Sequence, residues 1–398
     1  MIDLERARRE TPGCRHVIHL NNAGASLMPD PVLRAVTDHL ELEGRIGGYE
    51  AAALRQEAWH HTYDAIATLI NCHRDEIAVV ENATRAWDMA FYGLRFASGD
   101  RILTSAAEYG SNYMAYLQTT RKTGASVEVV PSDERGEVSL DALADMLDER
   151  VKLVAITHVP TNGGLVNPAE GIGEITRRAG VPFLLDACQS VGQMPLDVER
   201  IGCDMLAATG RKFLRGPRGT GFLYVRRMLT ERIEPPFIDV LSAEWTNRDS
   251  YRWRSDARRF ESWETNYATK IGLGTAVDYA LEWGLENIRD RDYALAAQLR
   301  ARLRELPRVE VLDLGRTPCA IVTFTIAGTD PRAVARRLSE RRINVSVSTI
   351  EDTRLDMEAR GRESWVRASV HYFNTQEDIT ALADAVEQML EGYGGRFE

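Results

Sequence analysis

The sequence predicts an α/β protein: a central, mostly parallel sheet flanked by helices, with a smaller α+β lobe towards the C-terminus. Two observations carry this. Between residues 77 and 226, short apolar, β-branched runs alternate with amphipathic stretches, the rhythm of parallel strands joined by crossover helices. Beyond residue 289 the rhythm changes to helix, strand, strand, helix, strand, strand, helix. A chain of 398 residues, 44% hydrophobic and 27% charged, suits about two ordinary globular domains at ~150 residues each.

Each element follows from its local chemistry. At the front, a helix is expected over Asp30–Glu43, with Asp30 as cap and Pro31 in the first turn. Strands are expected at Ile77–Glu81, Arg101–Thr104, Ser126–Val130, Lys152–Thr157, Pro182–Asp186, Asp204–Ala208 and Gly221–Arg226. Helices fall between them at Thr84–Phe96, Ser111–Lys122, Leu140–Leu147 and from Pro168, with proline at a first helical position. A helix near Lys270–Leu285 leads into the lobe. There the expected order is helix Arg289–Leu306, strands Val309–Leu312 and Ala320–Phe324, helix Pro331–Arg341, strands Ile343–Val347 and Trp365–Val370, and helix Glu377–Glu391. The expected division is an N-terminal segment 1–28 packing on the small domain and the active site, a large domain 29–275 and a small domain 276–398.

Composition excludes several classes of function. A net charge of −10 gives no basic footprint for nucleic acid or anionic membrane. No apolar run approaches the ~18 residues of a membrane span. The five cysteines are odd in number and widely spaced, which argues against a disulfide framework or a zinc site and for a reducing compartment. A cytoplasmic protein that binds no metal is expected. His60-His61 reads as helix surface, and Gly171-Ile-Gly lies inside a helix rather than in a dinucleotide fingerprint.

Lysine is scarce. Only Lys122, Lys152, Lys212 and Lys270 occur among 49 basic side chains. Arginine serves for charge, but only lysine forms a Schiff base. Scarcity alone leaves Lys212 between that role and a surface charge, and the other three read as solvated charges. Position adds weight. In open α/β sheets ligands lie beyond the carboxyl ends of the strands. Asn82-Ala-Thr-Arg85, Glu108-Tyr-Gly-Ser111, Thr161-Asn-Gly-Gly164, Asp186-Ala-Cys-Gln189 and Thr209-Gly-Arg-Lys212 all follow strands and share one expected edge. The helix start at Asn82-Ala-Thr-Arg is either an anion site or simply capped by Thr84. Asp186 ends an apolar strand, where a carboxylate needs a partner. A protonated pyridine nitrogen, a structural salt bridge and a helix cap each satisfy it.

The stretch Asp186-Ala-Cys-Gln-Ser-Val-Gly, followed by Thr209-Gly-Arg-Lys-Phe-Leu-Arg-Gly-Pro-Arg-Gly-Thr-Gly, resembles the class V aminotransferases. These are fold-type I pyridoxal 5'-phosphate enzymes that include cysteine desulfurases and isopenicillin N epimerase-like proteins. The likeness runs from about Leu20 to Glu391. It implies a Schiff-base role for Lys212, a pyridine-nitrogen partner in Asp186 and a ring-hydroxyl partner in Gln189. Ala83, Thr84, Thr209 and Arg211 would hold the phosphate, with Arg211 where histidine is more familiar. Tyr109 would stack on the ring, in a place held by histidine in desulfurases. Thr161 stands where desulfurases have asparagine near the cofactor oxygen, which leaves the role of Asn162 open. Thr265, in Glu261-Ser-Trp-Glu-Thr-Asn-Tyr, would reach the phosphate of a neighbouring subunit, which implies a homodimer with shared active sites. Arg367, in Trp365-Val-Arg-Ala-Ser, would clamp the substrate carboxylate, with Asn22 and Ala23 as further substrate contacts.

The stretch from Ser346 to Arg362 contains no cysteine, where a desulfurase carries its nucleophile. Cys188 reads as packed. The resemblance therefore implies a cofactor-dependent enzyme acting on a free α-amino acid through an external aldimine and an α-carbanion. β-Elimination of a cysteine-type substrate (a C–S lyase) leads, ahead of transamination and epimerisation. A non-catalytic relative that only binds the cofactor is the alternative of a different class. Glu244–Trp253, rich in aromatics and arginine, reads as a packed surface loop or a pocket wall.

Overall fold

A computed structural model describes residues 2–394; Met1 and the last four residues of the expected small domain lie outside it. The central sheet has seven strands, numbered here in chain order: β1 Ile77–Val80, β2 Arg101–Thr104, β3 Ser126–Val129, β4 Val151–Thr157, β5 Phe183–Asp186, β6 Met205–Thr209 and β7 Gly221–Val225. Their order across the sheet is β1-β7-β6-β5-β4-β2-β3. Only β7 runs against the others, pairing antiparallel with both β1 and β6. Helices shield both faces, so β1, β2, β5, β6 and β7 are buried at every position, the pattern of near-continuous apolar strands in covered parallel sheets. The carboxyl ends of β1, β2, β4, β5 and β6 consequently open on one edge.

The small lobe is a four-stranded antiparallel sheet, numbered on as β8 Val309–Val311, β9 Ile321–Ile326, β10 Ser346–Thr349 and β11 Ser364–Ser369, in the order β8-β9-β11-β10. The N-terminal segment is stitched to this lobe: Ile18–His19 pairs in parallel with Ile343–Asn344, and Asn21 bridges to Ser369.

Most expected elements appear within a few residues of their predicted bounds, with several differences. The helix after β1 ends at Phe91, not Phe96. Asp30 sits inside the first turn of its helix, with Pro29 at the cap, and makes no capping bond. Pro168 likewise precedes its helix, Ala169–Ala179. The expected strand Ile343–Val347 splits into Ile343–Asn344 and β10. Helices Leu4–Arg9, Gly48–Leu54 and Arg354–Ala359 have no counterpart among the expected elements, and the helix expected at His60-His61 spans Gln56–Ile70. Helix Tyr267–Trp283 crosses the expected boundary at 275 and packs on helices Asp30–Ile46 and Gln56–Ile70. Residues 243–253 form a two-stranded hairpin, not a loop; Trp245 is 79% exposed, and the hairpin does not line the cavity described next.

Candidate active site

A cavity of about 460 Å³ opens at the carboxyl edge of the sheet. It is lined by the segments that follow five strands: Asn82, Ala83 and Thr84 after β1; Tyr109 after β2; Val159 and Thr161 after β4; Cys188 and Gln189 after β5; Arg211 and Lys212 after β6. Thr157, Asp186 and Thr209, the last residues of their strands, complete it.

The helix start is built for an anion. Asn82, not Thr84, is the cap: its side chain accepts from the Arg85 N–H at 2.9 Å. The N–H groups of Ala83 and Thr84 begin the helix Ala83–Phe91 and have no partner within it. Gly221 makes this seating possible. A Cβ there would lie 2.7 Å from the Asn82 carbonyl carbon and 2.9 Å from the Ala83 nitrogen.

Lys212 lies beyond β6 in a tight loop, where the Arg215 N–H donates to the Lys212 carbonyl at 2.9 Å. Arg215 adopts a left-handed φ of 61°, a conformation that costs a non-glycine residue ~1 kcal/mol. Its buried guanidinium holds the loop in return, donating to Leu27 O at 2.9 Å, Tyr372 Oη at 2.6 Å and Thr11 Oγ1 at 2.6 Å. His371 secures the loop from another side, its Nε2 donating to Phe213 O at 2.8 Å while Nδ1 meets Asp292 at 2.8 Å. Burial lowers the Lys212 ammonium to about 8, with Arg211 and Arg367 pushing in the same direction and Asp186 partly opposing.

Asp186 is oriented on both sides. Oδ1 accepts from the Cys188 N–H at 3.0 Å and Oδ2 from Asn112 Nδ2 at 2.9 Å. Gln189 donates through Nε2 to Ala23 O and to Thr161 Oγ1, each at 3.1 Å, while its buried Oε1 has no partner. Arg367 reaches from β11 to the large domain, donating through one terminal nitrogen to Thr161 O and Oγ1 at 2.7 Å and through Nε to Ser346 Oγ at 3.0 Å. Burial lowers Arg367 to about 10, with the nearby Asp352 charge opposing. Arg211 donates to Gly24 O, and burial lowers it too.

Several sequence-predicted residues stand apart. Thr265 faces a separate small cavity with Val80, Glu81 and Thr220. Asn22 and Ala23 do not line the main cavity: Asn22 Nδ2 donates to Ser369 O at 2.8 Å, and the Ala23 N–H to Ser369 Oγ at 2.8 Å. Asn162 faces the small lobe, donating to Asp356 at 2.8 Å. Cys188 is not merely packed, since it lines the cavity; burial, then the Asp186 charge, pushes its thiol well above the ordinary value. Lys270 is not a solvated charge. It is buried, 2.5 Å from Tyr63 Oη and 3.3 Å from Glu261.

The family description Aminotransferase class-V matches residues 18–382. A probable cysteine desulfurase of Methanothermobacter thermautotrophicus is 32% identical over 97% of this chain and 98% of its own. Another from Xylella fastidiosa is 32% identical over 96% and 95%. Among solved structures, a cysteine desulfurase from Thermococcus onnurineus superposes with a TM-score of 0.92 at 27% identity, covering 98% of this chain and 99% of that one. The cystine C-S lyase C-DES, in complex with its reaction product cysteine persulfide, gives 0.85 at 25% identity over 95% and 99%.

The fold is that of the pyridoxal-phosphate-dependent desulfurases, and the protein is a pyridoxal-phosphate-dependent enzyme. The chain belongs to the class V aminotransferase family.

The residues present fit the cofactor. Three cations, Lys212, Arg211 and Arg367, border the cavity or its rim against the one lining carboxylate, Asp186, an excess suited to a phosphate and a substrate carboxylate. The free helix start at Ala83 and Thr84 borders the same space.

Proposed function

We propose that the protein cleaves the C–S bond of a free cysteine-type amino acid by β-elimination. The observation that carries this reading is the cavity itself. Lys212 and Asp186 share it with Tyr109, Arg367 stands at its rim, and the segment from Ser346 to Arg362 bears no thiol to accept sulfur. Bound pyridoxal phosphate supplies an electron sink for the pair left when the α-proton departs.

The chain's own residues divide the remaining work. Ala83, Thr84, Thr209 and Arg211 would hold the phosphate, Asp186 would pair with the ring nitrogen, and Tyr109 would pack on the ring. Thr161 accepts from both Arg367 and Gln189, and Gln189 would meet the ring hydroxyl. Arg367 binds the substrate carboxylate and so aims the Cα–H bond. Lys212 takes the α-proton at Nζ, a role its lowered basicity suits near neutral pH. Proton movement falls to Lys212, the one amine among the described residues that line the cavity. Loss of the α-proton and the β-thiolate releases a thiol; hydrolysis of the remaining enamine gives pyruvate and ammonia. The fully engaged Asn22 and Ala23 act through Gln189 and Ser369 rather than by touching substrate.

The proposal extends to assembly. Thr265 lies outside its own chain's cavity, and Phe237, Ile238, Val240 and Trp263 are at least half exposed. Both features support a homodimer in which Thr265 serves the partner's phosphate site. The five unpaired cysteines fit a reducing compartment such as the cytoplasm. The division into 1–28, 29–275 and 276–398 remains our reading, with helix Tyr267–Trp283 as the connector.

Incubation with cystine and S-substituted cysteines tests the reaction. Pyruvate with an equivalent of thiol or persulfide is expected. Accumulation of pyridoxamine phosphate with a keto acid overturns the lyase reading in favour of transamination.

A further inference from the structure

Glu108 is 3% exposed and pairs with no lysine or arginine among the described residues, a costly position for a carboxyl group. It is nonetheless surrounded by donors. Oε1 accepts from Thr157 Oγ1 at 2.5 Å, Asn112 Nδ2 at 2.9 Å and the Tyr109 N–H at 2.8 Å. Oε2 accepts from Thr104 Oγ1 at 2.8 Å and Tyr116 Oη at 3.4 Å. Five donors converging on two oxygens suit an ionised carboxylate, which only accepts.

Asn112 explains where this charge is directed. Its amide nitrogen carries two hydrogens. One goes to Glu108, and the other goes to Asp186 Oδ2 at 2.9 Å. Two buried carboxylates are thus joined through one amide, with no protein cation between them. Such a pair repels itself unless a positive charge arrives. The cavity side of Asp186 is where one would arrive with the cofactor.

We infer that Glu108 is a positioning residue of the cofactor site: through Asn112 it fixes the Asp186 carboxylate, and its charge helps to keep the cofactor's ring nitrogen protonated. The inference rests on the pyridoxal-phosphate reading above. The backbone bond from Tyr109 adds a second effect, since the same carboxylate orients the residue expected to pack on the ring. The titratable groups facing Glu108 are Asp186 from β5 and Tyr109 and Tyr116 at or in helix Gly110–Thr123; its contacts on β2 and β4 are threonines. Burial, reinforced by the Asp186 charge, pushes Glu108 up to about 7, with the donors pulling the other way. A cation paired with Asp186 lowers it again, so cofactor and Glu108 charge support each other.

The test uses holoenzyme loaded with pyridoxal phosphate labelled with 15N in the ring. The ring-nitrogen chemical shift and the visible absorbance are followed from about pH 6 to 10. Glu108→Gln, which keeps size but removes charge, should lower the midpoint for ring-nitrogen deprotonation by about one pH unit or more and weaken cofactor retention at least tenfold. Asn112→Ala should shift it in the same direction by less, and Glu108→Asp should restore part of the wild-type profile. Profiles in Glu108→Gln and Asn112→Ala that superimpose on wild type overturn the inference. If Glu108→Gln does not fold, an unshifted profile in Asn112→Ala alone overturns it. Wild-type protein that takes up no cofactor instead sinks the underlying functional reading, a result distinct from both.

Discussion

Replacing Lys212 with methionine should stabilise the cofactor-free protein, and by an amount that depends on pH. Burial lowers the Lys212 ammonium from an ordinary value of 10.5 to about 8. At ~1.4 kcal/mol for each pH unit, holding this charge in the folded state costs about 3 kcal/mol at pH 7. The sign follows from proton linkage. Below pH 8 the lysine is charged in both folded and unfolded chains, so the full cost is present. Between 8 and 10.5 the unfolded chain binds the proton and the folded chain does not, so wild-type stability rises with pH. The advantage of Lys212→Met should therefore shrink from about 3 kcal/mol at pH 7 to about 1 kcal/mol at pH 9.5. Urea unfolding of the stripped proteins at matched concentration measures it. A gap that is absent at pH 7, or that stays constant or widens as pH rises, refutes the view that enclosure of Lys212 lowers its basicity.

Three further perturbations probe the surrounding architecture. Arg367→Ala should raise the amino-acid KM by the equivalent of about 2–4 kcal/mol while leaving the spectrum of bound cofactor unchanged; an unaltered KM removes Arg367 from the carboxylate site. Gly110→Ala would place a Cβ 2.2 Å from the Glu351 carbonyl oxygen. It should break the 2.8 Å bond from the Gly110 N–H to Asp352 O, cost about 1–3 kcal/mol and expose the 350–362 segment to faster proteolysis. Arg215→Ala strips hydrogen bonds from buried Thr11 and Tyr372 and should destabilise the protein by about 3 kcal/mol in urea unfolding.

The legible part of the site was the part carried by strand ends. A buried parallel strand is a short apolar run, so the polar residues just after it stand out in the sequence. Ala83, Tyr109, Thr161, Gln189 and Lys212 were found that way and do line one cavity. The bounds of helix Gln56–Ile70 were harder to see because its start carries no cap signal: Arg55 separates it from the preceding helix without a side-chain capping bond. Lys270 looked solvated because its partner Tyr63 lies 207 residues away in the chain. Asn112 went unnoticed for the same reason, its contact with Asp186 spanning 74 residues.

The sequence by itself determined the α/β rhythm, the single edge on which the polar segments gather, and Lys212 as the amine among them, because these depend on local apolar patterning and on chemistry only lysine can perform. Only the tertiary structure decided which charges are paired and which are bare. It brought Arg367 from the small lobe onto Thr161, spent Asn22 and Ala23 on Ser369, and joined Glu108 to Asp186 through one amide. Hydrogen bonds and burial form between segments far apart in the chain, and it is the enclosure of Lys212 by those segments that lowers its basicity.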